Sequence, residues 1–374
     1  MKIKSLELKN YRGFDHFELH DLGLVNLLVG TNNCGKTTIL EAIKILMSDS
    51  PISGLWQTLA QRDGEVIGDS SRAGRQLEIR RLFQNHEIAL GKSFELSAST
   101  DHGEWTMLAT IERTNPDEVE NLESEPDALL SPEDFLNPRS LSLQWRNPVG
   151  GKFPIPLTRQ GGISRDAIQG ISRHVSPLTE FAINFITASS LSADEVSRRF
   201  EEIVLTPEED LVTEALRIIE PSIERIAVSG SDRSSGGMVR PSRGRILVRL
   251  KGSKERIPIS SMGDGIWRLL GLALSVVRSA GGILLVDEID AGLHYTVMQE
   301  MWQFLYQCAK KYDVQIIATT HSRDCYHSLA VICRDDVSEG SEVTINRIER
   351  DRSTAISYSE QEIVAAANVD IEVR

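Results

Sequence analysis

The sequence predicts an α/β fold with a mixed β-sheet at its core. Three stretches carry this prediction. Residues 23–46 have the pattern of a buried strand, a glycine-rich loop and a helix, and two later apolar runs, Ile283–Glu288 and Gln315–Thr320, have the pattern of buried strands. Both later runs end in polar or acidic residues, and the chemistry of such residues requires that they lie beside the loop.

The loop after the first of these strands fits G-x-x-x-x-G-K-[ST] over Gly30–Thr37. In this pattern glycines let backbone N–H groups approach phosphate oxygens, the lysine reaches the β- and γ-phosphates, and the hydroxyl ligates Mg²⁺. The alternative is a glycine-rich turn without a ligand, which the flanking strand and helix disfavour. The residues expected to bind the nucleotide are Gly30, Asn32, Asn33, Cys34, Gly35, Lys36, Thr37 and Thr38.

Length and composition limit the class of protein. A chain of 374 residues can bury a large core, and this length predicts about two domains or one large domain with an insertion. The net charge of -13 argues against wholesale coating of nucleic acid but leaves room for a local basic groove. No apolar run approaches ~18 residues, so we expect a cytoplasmic protein without a membrane segment. The four cysteines show neither metal-ligand nor disulfide spacing and are expected to be reduced and mostly buried.

The N-terminal part of the chain predicts strands around the loop. Residues 2–9 alternate weakly and suggest an edge strand, and residues 76–111 alternate well enough to predict an antiparallel sheet. The polar stretch 48–74 predicts a surface loop. Residues 150–176 are rich in Gly, Arg and Pro and predict no clear element.

The middle of the chain predicts an insertion. Residues 112–134 are acidic and favour a solvated loop, whereas 193–203 and 210–223 carry helical periodicity, with Ser192 as the expected first cap. We therefore divide the chain into an N-terminal part of the ATP-binding head at 1–111, a partly helical insertion at 112–228, and a C-terminal part of the head at 229–374.

A basic segment precedes the last third of the chain. Residues 229–258 hold eight Lys or Arg and only two acids, and the strand-like ILVRL within them suggests a hairpin with an arginine-rich loop. Such a segment can contact DNA phosphates or an acidic partner, and the expected contacts are Arg240, Arg243 and Arg245. A solvated loop is an equally good interpretation.

The last third of the chain contains a second group of chemical motifs. In ILLVDE, Asp287 is placed to hold Mg²⁺ through water, and Glu288 to polarise the attacking water. His321, at the end of a predicted strand, would stand over the γ-phosphate, although a lone histidine there is more often structural. SSMGDG places Ser261 and Gly263 at a helix N-terminus, which is either a second anion-binding feature or a plain helix cap.

In this order, these motifs resemble those of the ABC-type ATPase heads of the SMC, RecF and OLD families. The resemblance covers residues 1–47 and 245–325 and is greatest with the OLD-like ATPases, which recur in bacterial anti-phage systems. The matching segments are IKSLELKNYRGF for the opening strand and arginine turn, GTNNCGKT for Walker A, SSMGDG for a degenerate signature, ILLVDE for Walker B, DAGLH for the D-loop and THS for the switch histidine.

The resemblance implies a P-loop ATPase head with a mixed sheet, an antiparallel β-subdomain and a mainly helical insertion. It also implies a homodimer, or a higher oligomer, in which two ATP molecules lie between heads and Ser261 of one head completes the site of the other. Glu288 and His321 would be the catalytic residues, with Thr37 and Asp287 holding Mg²⁺. Arg12 would either approach a phosphate or form a structural ion pair.

Two departures from the family pattern narrow the functional hypothesis. The signature has Met262 and Asp264 in place of a glycine and a glutamine. Only 53 residues follow His321, without the D-x-D of a TOPRIM nuclease. We therefore expect the ATPase or sensor subunit of an anti-phage defence system that controls a separate effector, either a nuclease or a toxin. The alternatives are a RecF-like DNA repair ATPase and an ATP-dependent scaffold that sequesters a partner.

Overall fold

The structure is a computed structural model. It describes residues 1–48, 51–60, 66–67, 76–114, 139–146, 150–158, 160–164, 167, 181–187, 191–229, 246–335 and 342–368. The strands are β1 (Ile3–Tyr11), β2 (Phe14–Leu19), β3 (Val25–Val29), β4 (Val66–Ile67), β5 (Gln76–Leu77), β6 (Ser93–Thr100), β7 (Gly103–Arg113), β8 (Arg139–Trp145), β9 (Gly151–Pro156), β10 (Ile163–Ser164), β11 (Ile183–Ile186), β12 (Ile223–Val228), β13 (Ile246–Leu250), β14 (Arg256–Pro258), β15 (Ile283–Val286), β16 (Gln315–Thr319), β17 (Val343–Arg347) and β18 (Ile356–Tyr358). The α-helices are α1 (Lys36–Leu46), α2 (Pro51–Ala60), α3 (Ala193–Ile203), α4 (Pro207–Arg217), α5 (Asp264–Arg278), α6 (Met298–Tyr312), α7 (Arg323–Asp335) and α8 (Glu360–Asn368).

The chain forms two compact units, and both are discontinuous in sequence. The first comprises Met1–Leu22, Asn32–Ile183 and Ile348–Ile356, and the second comprises Gly23–Thr31, Asn184–Arg347 and Ser357–Arg374. The three-part division predicted from the sequence stays a prediction.

The first unit is built on an antiparallel sheet in the order β2-β1-β6-β7-β8-β9. Side chains of β6 alternate between buried and half-buried positions, as expected when one face of a sheet covers the core. This sheet is the antiparallel β-subdomain predicted from the sequence. Helices α1 and α2 belong to the same unit.

The second unit is built on a sheet in the order β11-β15-β16-β3-β17-β18, in which β15, β16, β3 and β17 are parallel neighbours. All five residues of β3 are buried, which is typical of a parallel strand covered on both faces. A smaller antiparallel sheet, β12-β13-β14, belongs to the same unit, and its β13 and β14 are the strands that lie within the predicted hairpin segment 229–258. Helices α3 to α6 contribute side chains to one continuous hydrophobic core.

Several local predictions are confirmed. Helix α3 begins after Ser192, whose hydroxyl accepts a hydrogen bond from the Glu195 N–H at 3.2 Å. The four cysteines are free and buried. Among the helices of the described ranges, we find none with the length and apolarity needed to span a membrane.

Other local predictions are wrong. β1 is not an edge strand, because it pairs with β2 on one side and β6 on the other. The predicted loop at 48–74 contains helix α2, with Ile52, Leu55 and Leu59 buried. The region 150–176, for which no element was predicted, contains strand β9. The second predicted helix, 210–223, ends at Arg217, and residue 223 is instead the first residue of β12.

Two segments singled out in the sequence lie mostly or wholly outside the described residues. These are the acidic stretch 112–134, of which 115–134 is not described, and the arginine-rich loop 230–245 with Arg240, Arg243 and Arg245.

Candidate active site

The parallel sheet of the second unit brings three motifs to one edge. Parallel strands end at the same side of a sheet, so the residues that follow β3, β15 and β16 lie along one edge. The register places Val286 beside Ala318 and Thr319 beside Leu28, and the Thr320 N–H donates to the Leu28 carbonyl at 3.2 Å. The start of the phosphate loop, the acid pair and the switch histidine therefore all begin at this edge.

The phosphate loop continues from that edge into helix α1 of the first unit. Gly35 precedes the helix with φ 102°, and a Cβ at this position would lie 2.3 Å from Cζ of Phe14. Only glycine tolerates both this positive φ and this close approach of Phe14. Because glycine has no side chain to cap the helix, the N–H groups of the first turn can bind an anion.

The side chains around the helix start differ in exposure. Residues 31–33 are exposed, Thr37 is half-buried, and the buried Lys36 has its Nζ 3.6 Å from the Sγ of Cys34. The nucleotide contacts expected of these residues stay predictions.

Arg12 forms the structural ion pair that was one of its two predicted roles. Its guanidinium is buried, and its Nε lies 3.3 Å from Oε2 of Glu41 in α1 and 3.4 Å from the Tyr11 hydroxyl oxygen. Arg12 has φ 52°, and its N–H donates to the Leu82 carbonyl at 2.9 Å. A contact between Arg12 and phosphate stays a prediction.

The acid pair after β15 is oriented by a threonine that the sequence analysis missed. The Thr319 hydroxyl donates to Oδ1 of Asp287 at 2.7 Å and accepts from the Glu288 N–H at 2.9 Å. Glu288 has φ 49°, which is uncommon for a residue with a side chain, and it is exposed. One carboxylate is thus fixed at the sheet edge and the next is presented to solvent.

A buried arginine, also missed from the sequence, holds the backbone of that acid pair. Arg268 of α5 donates through one terminal nitrogen to the carbonyls of Asp287 and Glu288 at 2.9 and 2.7 Å, and through the other to the Thr187 carbonyl at 2.7 Å. Burial lowers the pKa of Arg268 to about 10, against the attraction of nearby carboxylates, so it remains charged at neutral pH. An arginine inside the apolar run IWRLLGLAL was the available signal.

The switch-histidine loop is tied to the D-loop. The Thr320 hydroxyl donates to Oδ1 of Asp290 at 2.6 Å and accepts from the Ser322 N–H at 2.9 Å. His321 lies between them and is half-buried. Its proposed position over the γ-phosphate stays a prediction.

The signature residues lie on the surface of the second unit. Ser261 and Gly263 are exposed, and the Ser261 hydroxyl donates to the Pro258 carbonyl at 2.7 Å. Helix α5 starts after Gly263, and a Cβ on Gly265 would lie 3.1 Å from the Gly292 carbonyl oxygen of the D-loop. The start of α5 therefore packs closely against the D-loop of the same chain.

The fold and the three motifs at one sheet edge define a P-loop ATPase of the ABC type. Residues 25–324 match the protein family described as "AAA domain, putative AbiEii toxin, Type IV TA system", and the chain belongs to that family. The predicted resemblance to OLD- and RecF-type ATPases is confirmed.

Several curated proteins and solved structures are similar to this chain. An ATP/GTP phosphatase of Helicobacter pylori is 21% identical over 354 residues, covering 89% of each chain. An OLD nuclease of Thermus scotoductus is 22% identical over 96% of this chain, which spans 65% of that protein's length. RecF of Clostridioides difficile is 52% identical over 94 residues, covering 25% of this chain and 20% of RecF. The SMC head domain from Thermotoga maritima aligns with a TM-score of 0.44 at 15% identity, over 96% of this chain and 99% of that chain.

Proposed function

We propose that this ATPase binds and hydrolyses ATP between two copies of itself and acts in the cytoplasm as the regulatory subunit of an anti-phage defence system. It would control a separate effector, a nuclease or a toxin. The observation that carries the ATPase mechanism is the acid pair after β15, in which Asp287 is fixed by Thr319 while Glu288 is exposed.

The roles of the residues follow from their chemistry. Lys36 and the N–H groups of the phosphate loop bind the β- and γ-phosphates, Glu288 orients the attacking water, and His321 contacts the γ-phosphate. The hydroxyl of Thr37 and the carboxylate of Asp287 would hold Mg²⁺, which prefers oxygen ligands and neutralises phosphate charge. The Thr319 bond to Asp287 is the kind of supporting contact that orients a carboxylate ligand.

Dimerisation is supported by the exposed signature. Ser261 and Gly263 are on the surface of the unit that carries the acid pair, and a helix N-terminus there can accept an anion from another molecule. In the proposed dimer each signature contacts the γ-phosphate bound by the opposite copy. ATP then stabilises the dimer by mass action, because it binds the closed pair more tightly than the single chain.

The defence role is supported by two relationships. The family description names a toxin of a type IV toxin–antitoxin system, and an OLD nuclease is similar over nearly the whole of this chain. Such similarity concerns whole proteins rather than the site, so the role needs a direct test.

The central test is the substitution Glu288→Gln. We expect ATP binding to persist while hydrolysis falls about 10²–10⁴-fold, because the amide cannot act as a base. ATP should then trap a dimer, seen by light scattering, and a second substitution, Ser261→Arg, should prevent it. Glu300→Gln, which changes an exposed acid of α6, is the matched control. Undiminished turnover in Glu288→Gln would remove Glu288 from this role.

The defence role is tested in cells that express the protein with the product of its neighbouring gene. We expect phage plating to fall with the wild-type pair and to recover when Glu288→Gln or Lys36→Ala is introduced. Equal plating with and without the pair, across a broad phage panel, would contradict the proposal. Full protection by Glu288→Gln, with protection lost in Lys36→Ala, would instead favour the ATP-dependent scaffold.

A RecF-like role in DNA binding is the second candidate, because one surface of the small sheet is rich in arginine. Arg225, Arg249 and Arg256 lie opposite one another across β12, β13 and β14, and all three are exposed. If duplex DNA binds there, replacing them with glutamine should weaken binding and reduce its salt dependence. Arg240, Arg243 and Arg245 would be replaced in a second set.

A further inference from the structure

A cluster of histidine and carboxylate side chains lies on the β1–β2 hairpin of the first unit. Glu7 and Glu18 face each other across the two strands, and His16 is two residues before Glu18. Phe17 and Leu19 on β2 are buried, so the intervening His16 and Glu18 point to the opposite, outer face. The cluster is unrelated to the residues assigned to ATP.

Three potential ligand atoms converge at one point of this cluster. The Nε2 of His16 lies 2.9 Å from Oε1 of Glu7 and 3.3 Å from Oε1 of Glu18, and one ligand atom from each of the three residues lies within 4.8 Å of the others. Ligands about 2.0–2.2 Å from a tetrahedral ion are roughly 3.3–3.6 Å apart, which is near the two measured distances from His16. Only small side-chain movements would therefore be needed.

The charges of the cluster favour a cation. Two carboxylates directly opposite each other on neighbouring strands repel, and a single imidazole nitrogen carries at most one proton to share between them. Lys9 relieves part of this repulsion, because its Nζ lies 3.0 Å from Oε1 of Glu7, but it is shared with Glu95 at 3.1 Å.

The side chains are also prepared to act as ligands. The second oxygen of Glu18 lies 2.8 Å from Nε2 of His20, a contact that orients the carboxylate. All these side chains are between about a third and a half exposed, so an ion can enter from solvent.

We propose that Glu7, His16 and Glu18 bind a divalent transition-metal ion, with His20 orienting Glu18 and water completing the coordination. One imidazole nitrogen and two carboxylate oxygens suit Zn²⁺, Co²⁺ or Mn²⁺ better than Mg²⁺, which prefers oxygen ligands alone. The site is accordingly distinct in metal preference from the proposed ATP site.

The test is a titration of the full chain, stripped of metal and nucleotide, with Zn²⁺ by calorimetry and with Co²⁺ by visible absorption. We expect one ion per chain at this site, with excess Mg²⁺ unable to displace it. His16→Gln should weaken Zn²⁺ binding at least tenfold and remove the Co²⁺ band, and Glu18→Gln should weaken binding as well. The ion should raise the melting temperature of the wild type more than that of His16→Gln or Glu18→Gln.

Two controls keep the outcome interpretable. His102→Gln alters another exposed histidine, whose Nδ1 lies 2.7 Å from Oδ1 of Asp101, and should leave metal binding unchanged. Melting in the presence of EDTA should be the same for wild type and variants, which shows that they are folded. The proposal is overturned if millimolar Zn²⁺ or Co²⁺ does not bind, or if His16→Gln binds both ions as the wild type does.

Discussion

The two units each bury an arginine, and the two side chains are satisfied in different ways. In the first unit Arg12 pairs with a carboxylate, that of Glu41, which is itself buried. In the second unit Arg268 donates to three backbone carbonyls, two of them belonging to the acid pair Asp287 and Glu288. The charge of Arg12 is paired with that of a carboxylate side chain, whereas the charged guanidinium of Arg268 is hydrogen-bonded to main-chain oxygens.

The two arrangements serve different purposes: the ion pair of Arg12 joins two elements of the fold, and the bonds of Arg268 position the backbone of the acid pair. A buried ion pair contributes little net stability, because desolvation offsets the attraction, although losing one partner is costly. A guanidinium bonded to main-chain oxygens instead fixes the path of the backbone, because its donors have a rigid planar geometry. Arg12 therefore helps to hold β1 and α1 together, and Arg268 determines where the acids lie.

The largest effect is expected at Arg268. Arg268→Met removes the three hydrogen bonds that the buried guanidinium donates to backbone carbonyls and should lower the free energy of unfolding by about 3–5 kcal/mol. Arg268→Lys should recover only part of this loss, since an ammonium cannot match the forked geometry. Urea unfolding measures both, with Arg278→Met as a control on an exposed arginine of the same helix. A loss equal to that of the control would contradict the proposed contrast.

A smaller effect is expected at Arg12. Arg12→Met should cost about 2–3 kcal/mol, because Glu41 stays buried and loses the guanidinium, while Lys44 one turn away compensates part of its charge. The double variant Arg12→Met/Glu41→Leu should recover most of that stability, since it removes both charges. Urea unfolding of the two single variants and the double variant tests this, and additive losses would mean that the pair is not coupled.

The smallest effect is a pH dependence at Lys44. Burial lowers the pKa of Lys44 to about 8 from an ordinary 10.5, against the attraction of Glu41. At pH 7 the folded and unfolded states are both charged. Between these two pKa values the unfolded chain holds a proton that the folded chain has released, so the free energy of unfolding rises with pH.

The measurement compares wild type with Lys44→Met by urea unfolding at pH 7 and pH 10. The wild type should gain about 2 kcal/mol relative to the variant over this range. Lys92→Met, at an exposed lysine of the same unit, is the control and should show no such gain. A constant difference between wild type and Lys44→Met would contradict the assignment.

The sequence predicted the main elements because their hydrophobic patterns are strong. It missed one helix and one strand because glycine or proline within them was read as the sign of a loop. Helix α2 was missed because Gly54 interrupts its pattern, yet a Cβ there would lie 2.2 Å from the Ser48 Oγ, so close packing explains the glycine. Strand β9 was missed because it contains Pro154 and Pro156. It is the outermost strand of its sheet, where proline is tolerated.

Within the site, the sequence predicted which residues carry the chemistry, and these roles stay predictions, but it did not point to Thr319 and Arg268, which position the acid pair. The phosphate loop and the acid pair have recognisable spacing, because phosphate and metal binding require particular residue types in order. Thr319 bonds to the Asp287 carboxylate and the Glu288 N–H, and Arg268 bonds to main-chain carbonyls. Contacts of this kind require no particular residue types at neighbouring positions, so they leave no pattern in the sequence. Such contacts become visible only when distant segments are folded together.

The pairing of β3 with strands near the C-terminus has a consequence for synthesis of the protein. Asn26 in β3 bonds to the Ile316 carbonyl in β16, 290 residues later in the chain. At a translation rate of about 5–20 residues per second, β3 leaves the ribosome roughly 15–60 seconds before its neighbours exist. For that time its apolar side chains have no sheet to join, so this segment is prone to aggregation until its neighbouring strands are made.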